Sequence, residues 1–410
     1  MADRLDIDFV RAQFPQLADG WGYFDNAGGT LVPKQFIARM TDYLTTSRVQ
    51  PNGTYGPSAK ATERLTEAKR AMAALINATP EEIVLGHSTT NNVFVLANAF
   101  RSRLKAGDEV IVTNLDHESN NGAWRRLADM GVVIREWRMR PETADLELDD
   151  LEALLTGKTK LVCATNCSNV TGSENDAAAI AKLAHSAGAL VCIDGVAHAP
   201  HRRVDVRATD VDFYLCSLYK IFGPHHGLMY IKREHMLSLK GQNHFFIAED
   251  NIPLKMNVGG YDYETVASAA GIADYFQALH AHHFPGANRP FGEQLDRVYD
   301  LMARHEETVS KPLADFLSTD KRVKLIGRKR ADRHLRAPTF SFVVEGKNSG
   351  EVTKALDAHK LGLRHGIFYA HRAVESLGYL PRGGVVRASL VHYNSAEDVR
   401  RLVDALDRAV

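Results

Sequence analysis

Val211-Asp212-Phe213-Tyr214-Leu215-Cys216-Ser217-Leu218-Tyr219-Lys220-Ile221-Phe222-Gly223-Pro224 is an apolar run that breaks off at a lysine and then a Gly-Pro turn. β-formers bounded by Gly and Pro read as a buried strand, so Lys220 falls where that strand leaves the core. Burial disfavours an ammonium and leaves a nucleophilic amine, which is what Schiff-base chemistry with an aldehyde requires. Upstream, Ala189-Leu190-Val191-Cys192-Ile193-Asp194-Gly195 repeats the arrangement with an acid at the strand's end. Neighbouring parallel strands open their carboxyl ends onto one crevice, the usual ligand site of an open α/β sheet. Taken singly, Lys220 also reads as a solvated loop residue and Asp194 as a helix N-cap. Their surroundings decide between the readings.

Working outward, helical patterns alternate with short β runs at Ile83–Leu85, Glu109–Val112, Val132–Ile134, Leu161–Ala164, Ala189–Ile193, Asp212–Cys216 and Leu228–Ile231. The expected fold class is α/β: a seven-stranded, mostly parallel sheet sandwiched by helices. Leu228–Ile231 follows Lys220 too closely for a parallel crossover, so an antiparallel hairpin is expected there. Asp176–Ala187 has the period of an amphipathic helix. Residues 240–258 show no period and are expected to form a loop near the site. Beyond residue 290 come a long helix, a strand at Pro338–Val344, a helix around Glu351–His359 and a last strand and helix, which describe a small α+β domain. The expected division is an N-terminal segment 1–20 packing on the small domain, a large domain 21–285 and a small C-terminal domain 286–410.

The chain has 410 residues, with 50 basic and 50 acidic side chains. That balance gives no electrostatic reason to expect nucleic acid or an anionic membrane as partner. The apolar runs fall well short of the roughly 20 residues of a membrane span. The N-terminus lacks a basic region followed by an apolar one, so a cytoplasmic protein is expected. The four cysteines, Cys163, Cys167, Cys192 and Cys216, lie in or beside strand-like runs, which suits packing rather than disulfides or a metal site.

Ile193-Asp194-Gly195 and Ser217-Leu218-Tyr219-Lys220-Ile221-Phe222-Gly223-Pro224 resemble the Asp and Lys signatures of the pyridoxal-phosphate enzymes of aminotransferase class V, particularly the cysteine-desulfurase-like group. Further segments resemble that family in its order: Asp25-Asn26-Ala27-Gly28, Gly86-His87-Ser88-Thr89-Thr90-Asn91, Leu115-Asp116-His117-Glu118-Ser119-Asn120, Ser168-Asn169-Val170-Thr171-Gly172 and Val386-Arg387-Ala388-Ser389 through Tyr393-Asn394-Ser395. The resemblance implies pyridoxal 5'-phosphate as cofactor, a fold-type-I architecture, a small amino acid as substrate and a homodimer. It implies Lys220 as the Schiff-base lysine and proton carrier, Asp194 on the pyridine nitrogen and His117 stacked on the ring. Asn169 would meet the phenolic oxygen, and Ser88, Thr89, Thr90 and Ser217 would hold the phosphate. Tyr219 stands in the cofactor site where the family usually has His. Asn26, Ala27 and Gly28 would border the substrate, whose carboxylate Arg387 would clamp.

The departures from the family shape the functional expectation. Cysteine desulfurases carry a nucleophilic Cys before the last Arg-bearing strand. Here that stretch is Arg364-His365-Gly366-Ile367-Phe368-Tyr369-Ala370-His371, and no cysteine follows Cys216. Tyr369 is the candidate acid there, with His365 and His371 as neighbours. Ala197 stands where Gln or His usually supports the phenolic oxygen, and Gly259-Gly260 replaces the Gly-Thr that the family contributes across its dimer interface. The expected activity is cleavage at Cα/Cβ of an amino acid, foremost a β-eliminating C–S lysis without a persulfide. An aminotransferase or epimerase is the alternative, and a non-catalytic binding protein the alternative of another class.

Overall fold

A computed structural model describes residues 4–410. Thirteen strands are defined among them: β1 Gly22–Tyr23, β2 Ile83–Gly86, β3 Glu109–Thr113, β4 Val133–Trp137, β5 Thr159–Thr165, β6 Leu190–Asp194, β7 Phe213–Ser217, β8 Gly227–Ile231, β9 Val323–Ile326, β10 Thr339–Val344, β11 Leu361–Gly362, β12 Arg364–Gly366 and β13 Val385–Ser389. The seven expected strands form one sheet in the order β2-β8-β7-β6-β5-β3-β4. All its pairings are parallel except those of β8, which runs antiparallel to both β2 and β7. The hairpin after Lys220 is therefore present as the sequence predicts.

Alternation along each strand divides the core between two faces. Phe213, Leu215, Val110, Val112, Leu161 and Cys163 fill one side of the sheet. Tyr214, Cys216, Ile111, Val162, Val191 and Ile193 fill the other. Helices cover both, which is why these strands read as continuous apolar runs. Parallel register then aligns the strand ends: Thr165 pairs with Asp194, and Asp194 with Leu215. Asp194 and Ser217 are the last residues of β6 and β7, and Lys220 closes a single turn of 3-10 helix directly after β7.

The C-terminal region is an antiparallel sheet in the order β12-β13-β10-β9, packed against the helices Phe291–Thr319, Ser349–Asp357 and Ala396–Ala409. In it Arg364 and Arg387 are direct register partners. Residues before β1 pack on more than this region. Arg11 bonds the Tyr393 carbonyl and Asp398, whereas Asp6 contacts His282 and His283, and Phe14 meets Phe222 and Tyr275. The phenyl ring finds its apolar partners beside the Lys220 loop, so the segment bridges both regions. Among the described residues no helix is long and apolar enough to cross a membrane.

Candidate active site

A cavity of about 680 Å³ opens over the carboxyl ends of β5, β6 and β7 and is closed on its far side by the turn after β12. Lys220, Asp194, His117, Asn169, Ser217, Tyr219, Ser88, Thr89, Thr90, Ala27, Gly28, Tyr369 and Arg387 all line it. Asn26 does not. Its amide nitrogen donates to the carbonyls of Tyr23 and Ser389 and to Asn394 Oδ1, and its Oδ1 accepts the Tyr393 hydroxyl. With both ends of the amide used, Asn26 fastens the β1 loop to the last strand, which corrects its assignment as a substrate contact.

The inner wall is buried and electrostatically tuned. Loss of solvent, reinforced by the Arg387 charge, lowers the Lys220 ammonium to about 8, with Asp194 opposing. Burial raises the Asp194 carboxyl, while the Val196 N–H and Lys220 pull it back. Its Oδ1 accepts that N–H at 2.9 Å, and among the described residues no donor reaches Oδ2. Burial, then Lys220 and Arg387, depresses His117 to about 3, so its ring is neutral. Nδ1 accepts the Ser119 N–H at 3.1 Å, which leaves the ring proton on Nε2. Beneath it, burial pushes the Asp116 carboxyl up to about 8; Asn120 donates to Oδ1 at 2.8 Å and the Thr165 N–H to Oδ2 at 3.1 Å.

The helix Thr89–Phe100 points its first turn into the cavity. Its hydroxyls are already engaged: Ser88 Oγ caps the Asn91 N–H, Thr89 Oγ1 meets Ser217 Oγ at 2.7 Å, and Thr90 Oγ1 meets Ser119 Oγ at 2.7 Å. The N–H groups of Thr89 and Thr90 have no protein acceptor among the described residues, as first-turn donors do not. Gly227 makes this placement possible, since a Cβ there would lie 2.5 Å from Thr89 N. Free N–H donors at a helix start suit a phosphate. A buried acid with an unpaired oxygen suits a protonated ring nitrogen, and a buried amine suits an aldehyde. The residues therefore fit pyridoxal phosphate.

The outer wall is the turn Ile367–Ala370. Phe368 and Tyr369 both hold left-handed backbone, at φ 50° and 57°. Such conformations persist where the surroundings over-determine them. Here Asn169 Nδ2 donates to the Phe368 carbonyl at 2.9 Å and the Glu118 N–H to the Tyr369 carbonyl at 2.7 Å. The Phe368 ring also stacks on the Arg387 guanidinium, 3.8 Å from centroid to Cζ. The result exposes 73% of Tyr369 and leaves its ring 5.4 Å from His117. His365 turns away to Thr353, and neither it nor His371 lines the cavity. Ala197 does, whereas His198 faces Glu174 on the other side.

Phe368, Arg364 and Cys167 are among the cavity residues that the sequence reading gave no role in the site. Cys167 lies two residues past the end of β5, beside the strand and not in it. Its thiol points to the Gly172 carbonyl at 3.4 Å, and burial raises it well above the ordinary thiol range. Residues 240–258, expected near the site, contribute nothing to the lining; Asn257 and Lys255 tie them to Leu85 and to Leu237 and Leu239 instead.

Comparison with known proteins agrees with this geometry. The chain is 37% identical over 411 residues to the aminotransferase-like protein FGM3 of Gibberella zeae, with 98% of each chain covered. It is 32% identical to the cysteine desulfurase-like protein ustD of Aspergillus flavus, over 99% of this chain and 91% of that one. The crystal structure of the cysteine desulfurase CsdA from Escherichia coli and the apo structure of a cysteine desulfurase from Thermococcus onnurineus superpose with TM-scores of 0.84 and 0.86 at 25% and 26% identity, each covering 99% or more of both chains. The model of the family aminotransferase class-V matches residues 22–282 and 295–402, and the chain belongs to that family of pyridoxal-phosphate-dependent enzymes.

Proposed function

We propose that this enzyme removes a substituent from Cβ of an amino acid by β-elimination, foremost in C–S lysis, without passing sulfur to a protein thiol. The observation that carries the reading is the cavity turn, where Tyr369 presents a phenol and no cysteine is present. A phenol does not attack sulfur as a thiolate does. Cys167, the thiol that lines the cavity, is held protonated by burial.

The cofactor, when bound, withdraws electrons from the bonds to the substrate's Cα. Lys220 would hold it and, once released, take the proton from Cα with Nζ. Asp194 Oδ2 would keep the ring nitrogen protonated, His117 would cover one ring face, and Asn169 would meet the phenolic oxygen. The Thr89 and Thr90 N–H groups, with the Ser217 hydroxyl, would hold the phosphate, and Ser88 would cap their helix. Tyr219, which shares the wall with Lys220, stacks on His225 with centroids 4.5 Å apart and would fix the lysine's approach. Arg387 would clamp the carboxylate beside Ala27 and Gly28, and the Tyr369 hydroxyl would protonate the departing group.

Product analysis tests this directly. S-substituted cysteines should yield pyruvate and ammonia. A new keto acid with cofactor converted to its amine form would establish transamination instead, racemised substrate would establish epimerisation, and no turnover of any amino acid would leave a binding protein. We also propose a division into residues 1–20, 21–285 and 286–410, and a symmetric homodimer, as isologous pairs are the commonest soluble oligomers. A sedimentation mass near one 45.4 kDa chain would refute the dimer.

A further inference from the structure

Arg387 is already partnered before a substrate arrives. Its Nη2 is bonded to Asp25 Oδ1 at 2.8 Å and its Nη1 to the Asn169 carbonyl at 3.0 Å. Nε is buried with no acceptor, and the Phe368 ring covers the guanidinium plane. One N–H on each terminal nitrogen is engaged, so an incoming carboxylate gains the Nη2 donor that Asp25 holds only as Asp25 yields. The Asn169 carbonyl is backbone and fixed. Asp25 is a side chain, 27% exposed, on the loop that follows β1.

Asp25 also has somewhere to go. Its Oδ2 lies 3.6 Å from Nη1 of Arg364, which lines the same cavity, is 65% exposed and is the register partner of Arg387. Two arginines thus share one carboxylate, one negative charge short of balance. Gly28 keeps room for that carboxylate: a Cβ at position 28 would lie 2.9 Å from Asp25 Oδ2 and 3.1 Å from its Cγ. Meanwhile the Asp25 backbone is held by its bridge to Ser389, so a turn of the side chain requires no movement of the loop.

We propose that Asp25 is a resident stand-in for the substrate carboxylate: it holds and orients the Arg387 fork before an amino acid binds, then hands it over by turning to Arg364. Asp25 is therefore a positioning residue, and it sets substrate affinity by competition. The proposal rests on the reading of Arg387 as the carboxylate clamp.

The test is calorimetric titration of the cofactor-loaded enzyme with propionate, a carboxylate that lacks the reacting amine. Asp25→Asn should tighten propionate binding about tenfold, or ~1.4 kcal/mol. Arg364→Gln should weaken it about tenfold while Asp25 is present and change it less than about twofold in the Asp25→Asn background, the coupling expected of a shared partner. Unchanged or weaker binding by Asp25→Asn would overturn the hand-over, as would an equal loss from Arg364→Gln in both backgrounds, since Arg364 would then bind propionate itself. Asp25→Ser serves the same arm should Asp25→Asn not fold by circular dichroism. Arg387→Ala should abolish binding; if it does not, the clamp reading fails independently of the hand-over.

Discussion

The two walls of the cavity are built on opposite principles. The inner wall sits on strand ends and helix starts of the large sheet, buried and rigid, where Lys220, Asp194 and His117 have their charge states set chiefly by loss of water. The outer wall is a short turn in left-handed backbone, half in solvent, held by contacts to residues far away in sequence. The first is suited to holding a cofactor and moving a proton, because desolvation is a property of the core. The second is suited to setting what leaves the substrate, since a turn changes its side chains without disturbing the sheet.

That contrast is broken or sharpened by graded perturbations. Lys220→Ala should abolish turnover, by at least about 1,000-fold, since on the proposed reading one amine would both hold the cofactor and move the proton. The wild-type protein should be yellow, and borohydride should leave a pyridoxyl group on Lys220 in peptide mapping; a label elsewhere would break the assignment of the inner wall. Asp194→Asn keeps the shape but removes the charge, and should lower kcat about 100-fold with the cofactor still bound by absorbance.

On the outer wall the effect should be smaller. Tyr369→Phe should lower kcat about tenfold with KM little changed, less than the roughly 100-fold of a buried general acid, because solvent reaches this exposed position and can replace the proton. An unchanged kcat would show that the phenol only packs. A pH titration probes the inner wall alone: only the neutral lysine captures an aldehyde, and Lys220 is neutral above about 8. Cofactor capture by the apoprotein, followed by absorbance, should rise about tenfold from pH 7 to 9 and then level. A continued rise toward pH 10.5 would mean an exposed, unperturbed lysine.

The sequence alone determined the α/β sheet and put Lys220 and Asp194 at its edge. Apolar runs such as Phe213–Ser217 and Leu190–Asp194 can be buried on both faces only in a covered parallel sheet, and a charged residue ending such a run must emerge at its edge. Lys220 and Asp194 were legible for that reason, and the short connection to β8 made the hairpin legible too. What the tertiary structure decided lies where partners are distant in sequence. Asn26 reads as a substrate contact until Tyr393 and Asn394 take up its amide. Cys167 reads as a packing thiol in or beside a strand until the chain turns it into the cavity. Phe368, Arg364 and Asp25 acquire meaning only around Arg387, because a guanidinium's partners are set by which surfaces meet, and no local period in the sequence encodes that meeting.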